Sequence, residues 1–233
     1  IRMTPDIIYD QMIGMGMAKK VIFSYAGNPG VGLLRRMRDA IENQYPRAIE
    51  TVEHSHAAMA NAYAAGAAGL PCAVFRGYKG ADLPKVNPDI KSIICPYTGE
   101  ELATVPAHNP DVAFIHAQKA NEKGDVLIEG IVGVQKEVAL AAKKVVVTVE
   151  EIVPDFAGMH PNLSILPHWT VTAIAKVKGG AHPSYTHGYY ARDNAAYLAW
   201  NEISADRDLF AKWMDENVLN ATPEAFADRV KGL

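Results

Sequence analysis

The pattern of apolar and polar positions is anchored by residues 109–133, NPDVAFIHAQKANEKGDVLIEGIVG. After the turn Asn109-Pro110-Asp111, the apolar run of residues 112–115 predicts a strand of the kind buried on both faces of a sheet. His116, Gln118 and Lys119 follow at its carboxyl end. The cluster NEKGD at 121–125 predicts a turn, and residues 126–128 a second short strand. GIVG at 130–133 then leads into the helical pattern VQKEVALAA, and residues 145–149 return to an unbroken apolar run. The unit reads strand, polar loop, helix, strand. Polar groups just beyond the carboxyl ends of strands line ligand sites in open α/β sheets, so chemistry is expected at residues 116–119.

The rest of the chain alternates in the same way. Thr4-Pro5-Asp6 offers a capping threonine, a proline at the first helical position and an acid favouring the positive helix end, which predicts a helix to about Met17. Residues 20–25 (KVIFSY) read as a strand that discharges into AGNPGVG at 26–32. Residues 33–43 form an amphipathic helix whose Arg35, Arg36 and Arg38 make a solvated face. Residues 48–52 are extended and end in Glu53-His54-Ser55-His56, ahead of an alanine-rich helix over 57–68 with Met59 and Tyr63 at i and i+4. The sheet resumes at 69–75. Residues 77–88 are a long polar excursion of the sort that serves as a lid or binding loop, and 90–95 and 101–106 are strands around a turn at 96–100. Further strands are expected at 163–166 and 169–177, with helices through Trp200, over 206–217, and from the cap Thr222-Pro223-Glu224 to Val230. Ile1-Arg2-Met3 looks like the tail of a strand, which suggests residues upstream.

Composition narrows the class without altering this layout. A chain of 233 residues suits one large α/β domain. The formal charge of −3 gives no electrostatic case for nucleic acid or an anionic membrane. Cys72 and Cys95 sit in apolar contexts, fitting buried thiols of a reducing, cytoplasmic compartment better than a disulfide framework. No apolar run approaches the roughly 20 residues of a membrane span, and no signal peptide is visible.

Several residue groups carry candidate chemistry, each beside a plainer role. The turn Gly27-Asn28-Pro29-Gly30 lets backbone N–H groups approach an anion or acyl oxygen closely, and a tight turn accounts for it equally. Glu53, His54, Ser55 and His56 place two imidazoles, a hydroxyl and a carboxylate where protons are handled or a carbonyl is held; capping of the next helix explains the same residues. The His-X-His spacing invites a metal, but no cysteine or third histidine lies close by, so no metal is expected. Glu150 and Glu151 read as helix-start acids or as a source of one buried carboxylate at the site.

Taken in order, Gly27-Asn28-Pro29-Gly30, Glu53-His54-Ser55-His56, AAGLP at 67–71, Val105-Pro106, DVAFIHAQ at 111–118, Gly130, VEEI at 149–152 and GAHPS at 180–184 resemble the alpha subunits of class I coenzyme A transferases. The similarity spans nearly the whole chain, and is greatest to the 3-oxoadipate branch and more distant to the glutaconate branch. The resemblance implies an α/β fold with an open, mainly parallel sheet and helices on both faces. It implies a single alpha-subunit domain over residues 1–233, lacking the N-terminal strand region with which the family begins. It also implies an obligate beta subunit, substrates that are acyl-CoA thioesters and carboxylates, and no cofactor, coenzyme A being a substrate. Such enzymes move coenzyme A from a donor such as succinyl-CoA to an acceptor such as 3-oxoadipate, in aromatic-compound degradation. The nucleophilic glutamate belongs to the beta subunit, so no nucleophile is expected here. Glu53, His54, Ser55 and His56 become supporting candidates, and Gly27, Asn28, Pro29, Gly30 and Gln118 substrate contacts. Glu100, His116, Glu150 and His182 are further candidates. Related acyl-CoA hydrolases of ring-derived substrates carry an acid where His56 stands, which favours transfer over hydrolysis. Hydrolysis, or non-catalytic acyl-CoA binding or assembly, are the alternatives.

Overall fold

The computed structural model describes residues 1–28, 30–160 and 162–232. In chain order these form α1 (Ile7–Gly14), β1 (Lys20–Phe23), α2 (Arg35–Glu42), β2 (Glu50–Glu53), α3 (His56–Ala67) and β3 (Cys72–Phe75). There follow α4 (Leu83–Val86), β4 (Lys91–Ile94), β5 (Glu101–Pro106), β6 (Val112–Asn121), β7 (Val126–Ile128) and α5 (Gln135–Ala141). The chain ends with β8 (Lys144–Val153), β9 (Ser164–Leu166), β10 (Ala173–Lys176), α6 (Asn194–Ala205), α7 (Arg207–Met214) and α8 (Pro223–Arg229). Two compact units result, residues 1–59 with 193–232, and residues 60–192. Among the described residues no helix is long and apolar enough to cross a membrane.

In the first unit β1 and β2 pair in parallel across the intervening α2. Asp6, not Thr4, caps α1: its carboxylate accepts from Ile7 N at 2.6 Å, and the helix ends at Gly14. Helix α2 has no side-chain cap of its own at Leu34. The buried Asp10 of α1 takes that role, accepting from Met37 N at 2.9 Å and from the Trp200 indole N–H at 3.1 Å. Arg36 departs from the expected solvated face. It is 4% exposed, with Asp39 at 3.0 Å and the Ala205 carbonyl as partners, so a charge buried on α2 is balanced by a carboxylate and by the end of α6. Two apolar clusters fill this unit, Ile7, Val31, Tyr197, Trp200, Phe210 and Met214, and Ile13, Val21, Leu34, Met37 and Ala40. Asp193, Asp206 and Thr222 cap α6, α7 and α8.

The second unit holds two sheets. One is antiparallel, in the order β3-β5-β4; the other runs β10-β8-β6-β7-β9. Within the latter, β6, β8 and β10 are parallel, while β6–β7 and β7–β9 are antiparallel. The α/β class stands, with more antiparallel pairing than the expected mainly parallel sheet. The reason is local: the turn at 121–125 is too short for a crossover, so β7 must fold back on β6. Ala113, Ile115, Ala117, Val145, Val147 and Val149 build the core on one face. The other face is not buried along its whole length, since Phe114 is 79% exposed; β6 thus alternates where burial on both sides was expected. Gly66 of α3 packs so closely that a Cβ there would overlap the His108 carbonyl.

Candidate functional site

Each unit brings a separate group of candidates together. In the first, the register Phe23↔Glu53 and a bond from His54 N to the Phe23 carbonyl (2.8 Å) set the carboxyl ends of β1 and β2 side by side. The loop at 26–32 and the Glu53–His56 junction therefore leave from one sheet end, where ligands bind in such folds. Asn28 is buried and its N–H donates to the Gly32 carbonyl at 3.2 Å, while Val31 N donates to the Asn28 carbonyl at 3.0 Å. Gly27 and Gly30 take φ values of 149° and 79°, which L side chains avoid. A Cβ on Gly30 would meet open space, so conformation alone, not crowding, asks for glycine there. Pro29 lies outside the described residues. Ser55 caps α3, accepting from Ala58 N at 3.1 Å. Glu53 and His56 are exposed, His54 is buried, and His56 Nε2 stands 3.4 Å from Thr4 Oγ1.

The second unit joins His116 and Glu150, on adjacent parallel strands. Both strands extend further than the apolar runs alone suggest: β6 runs to Asn121 and β8 to Val153. His116 and the Glu150–Glu151 pair are therefore strand residues, not strand-end or helix-start ones. The ladder continues because the polar side chains meet across it. His116 faces its register partner Thr148, with Nδ1···Oγ1 at 2.8 Å, and Nε2 lies 2.8 Å from Glu150 Oε1. The other Glu150 oxygen accepts from Gly179 N at 3.0 Å. Burial holds the imidazole's pKa below its ordinary value against the opposing pull of Glu150. The neutral ring then satisfies both bonds with one tautomer, donating from Nε2 to Glu150 and accepting the Thr148 hydroxyl proton at Nδ1.

Sequence reasoning missed the tyrosines that stand beside this network. The Tyr190 hydroxyl accepts from Ala181 N at 3.0 Å and from Thr186 Oγ1 at 2.8 Å. Its pKa is pushed up to about 12, first by burial. That of Tyr189 is raised further, by burial and then by the carboxylate of Glu151. The signal that could have found them is a paired tyrosine ending the GAHPS loop. Gln118 is buried and committed: its amide donates to the Glu129 carbonyl at 3.2 Å and accepts from Glu129 N at 2.9 Å. Glu100 is elsewhere, in the turn between β4 and β5, paired with the Arg76 guanidinium at 2.9 Å. His182 sits half-buried in the 179–190 loop, its N–H donating to the Gly179 carbonyl at 2.9 Å. Among the described residues no three His, Cys, Asp or Glu converge as a metal-holding group.

Comparison with known proteins places the chain among relatives. It is 59% identical over 218 residues, 94% of this chain and 77% of the relative, to a protein of Pseudomonas knackmussii named as a 3-oxoadipate CoA-transferase subunit. It is 32% identical over 227 residues, 91% of this chain and 71% of the relative, to the corresponding glutaconate CoA-transferase subunit of Acidaminococcus fermentans. The crystal structure of glutaconate coenzyme A-transferase from that organism superposes with a TM-score of 0.87 at 28% identity, covering 96% of this chain and 76% of that one. The coenzyme A transferase family model matches residues 8–177, and with these likenesses in sequence and fold the chain belongs to the coenzyme A transferase family.

Proposed function

We propose that this chain is the alpha subunit of a heteromeric transferase that moves coenzyme A from succinyl-CoA to a 3-oxoacid or dicarboxylate such as 3-oxoadipate, in the breakdown of aromatic compounds in the cytoplasm. The observation that carries the reading is the 59% identity over 94% of the chain to a 3-oxoadipate CoA-transferase subunit. Its partner is a beta subunit, whose glutamate attacks the succinyl-CoA carbonyl and expels the coenzyme A thiolate, leaving a mixed anhydride. The thiolate returns to the glutamyl carbonyl and releases succinate; the acceptor carboxylate then takes the coenzyme through the same two steps in reverse. A carboxylate is a weak nucleophile, so the route needs water excluded and donors preset for the developing oxyanion. The described geometry favours a supporting role for this chain: Glu150 has both oxygens engaged, which suits an internal acceptor more than an attacking group.

The test is to co-express the chain with its beta subunit, incubate with succinyl-CoA, trap with borohydride and map the adduct by mass spectrometry. A reduced glutamate on the beta chain is expected. An adduct on Glu53, Glu100, Glu150 or Glu151 overturns this division of labour. Coenzyme A release that needs no added carboxylate, with no adduct, replaces transfer by hydrolysis.

A further inference from the structure

Strands β6, β8 and β10 are parallel neighbours, so their carboxyl ends share one edge of the sheet, and residues 177–192 leave from it. The 179–190 segment is held at its start by a buried carboxylate: Gly179 N donates to Glu150 Oε2 at 3.0 Å, and His116, from β6, lies 2.8 Å from the other oxygen. At its far end the segment closes on itself, where the Tyr190 hydroxyl gathers Ala181 N and Thr186 Oγ1. The fit over the ring is close: a Cβ on Gly180 would lie 2.6 Å from His116 Nδ1. On its other flank the segment rests on Gly130, where an added Cβ would come within 3.1 Å of His187 Cβ. The backbone just before Gly130 is itself clamped by the Gln118 amide.

We propose that Glu150 is a positioning residue which, through His116 and Gly179 and with Tyr190 closing the far end, fixes the 179–190 loop as a wall of the acyl-CoA site, with Gln118 fixing the backbone on which that wall rests. The inference rests on the function proposed above. Three features lead to it. The loop stands at the strand edge where open α/β sheets bind ligands. Its anchored atoms are backbone N–H groups and a tyrosine hydroxyl, while Tyr185 and His187 remain exposed to meet a substrate. And the anchor accepts from a donor on each oxygen, a task that only an ionised carboxylate performs without turning a hydrogen toward one of them. A loop set this way presents its polar side chains in fixed geometry at no entropic cost during reaction.

The test uses the complex with the beta subunit. Glu150→Gln puts an NH₂ against one of the two donors. Hydrogen exchange at residues 179–190 should speed up about tenfold or more, with β6 and β8 amides unchanged, as expected of local rather than global opening. The KM for succinyl-CoA should rise about 10- to 100-fold, more than kcat falls, because the wall is displaced and not the chemistry. Tyr190→Phe, which keeps the ring, should loosen residues 181–186 and raise KM in the same direction by a smaller factor; if Glu150→Gln does not fold, Glu150→Asp, which keeps the charge but shortens the reach to Gly179 N, decides the anchor and Tyr190→Phe the wall. Unchanged loop exchange overturns the anchor. Faster loop exchange with KM and kcat within about twofold of wild type overturns the wall. If the wild-type complex transfers nothing from succinyl-CoA to 3-oxoadipate, the functional reading has failed separately. Loop exchange then still decides the anchor, and equilibrium binding of succinyl-CoA to wild type and variants decides the wall.

Discussion

Asp10 is the residue whose removal from water has the most readable consequence. It has no exposed surface, and its two oxygens accept from Met37 N and the Trp200 indole. Burial pushes its carboxyl from 3.8 to about 6, in opposition to those hydrogen bonds and to the Arg36 charge. A folded carboxyl that binds its proton more tightly than the unfolded one contributes stability that is fully present below 3.8 and is lost as the pH rises through about 6. At about 1.4 kcal/mol per pH unit the loss is on the order of 3 kcal/mol. Asp10→Asn never ionises. It keeps an oxygen for Met37 N but turns an NH₂ toward the indole N–H, an unpaired contact costing about 1–3 kcal/mol at any pH. Urea unfolding of both proteins should therefore favour wild type near pH 4 and move toward the variant by about 3 kcal/mol by pH 7. A difference between them that stays constant to about 0.5 kcal/mol across that range would refute the claim that this carboxylate is held charged at a cost.

Other changes have equally direct readouts. Asp39 takes Arg207 in two bonds at 2.9 Å and Arg36 at 3.0 Å; Asp39→Ala strands the buried Arg36, and denaturant unfolding should show a loss of about 3–5 kcal/mol. Arg207 first among its partners holds the Asp39 carboxyl down to about 2, so its stabilisation is present above the ordinary 3.8 and lost as pH falls through about 2. Acid unfolding followed by circular dichroism should show that component in wild type and not in Asp39→Asn. Gly66→Ala should lower the midpoint of thermal unfolding, with overlap at the His108 carbonyl costing about 1–3 kcal/mol against a helix-propensity gain of about 1 kcal/mol; an unchanged or higher midpoint would contradict the close approach. Thr222→Ala removes the acceptor 3.2 Å from Ala225 N and should cost about 1 kcal/mol in the same assay.

The elements that sequence predicted well are those specified by neighbours a few residues apart. Helix α8 follows its Thr222-Pro223 start, β4 and β5 flank the expected turn, and β7 folds back after NEKGD. Those it misread depend on partners far along the chain. Arg36 looks solvated on its helix because the Ala205 carbonyl that receives it is 169 positions away. The helix expected from residue 33 starts only at Arg35, where the cap, Asp10, comes from another helix.

The site follows the same rule with one addition. A polar residue after an apolar run reads as the end of a strand, since an unpaired polar group on a sheet is costly to bury. Here the run continues because parallel register sets His116 opposite Thr148 and Lys119 opposite Glu151, so each polar side chain is met by another on the neighbouring strand. Neither strand shows this alone; the two 10-residue strands have to be laid beside each other before the polar positions line up. Candidates that looked alike in sequence separate on the same ground. Ser55 is a helix cap and Gln118 a backbone clamp, whereas Glu150 joins β6, β8 and the loop after β10 at one carboxylate. A buried anion that ties three chain segments cannot be traded for an amide without leaving a donor facing a donor, so the order of the loop, more than the integrity of the sheet, should register its loss.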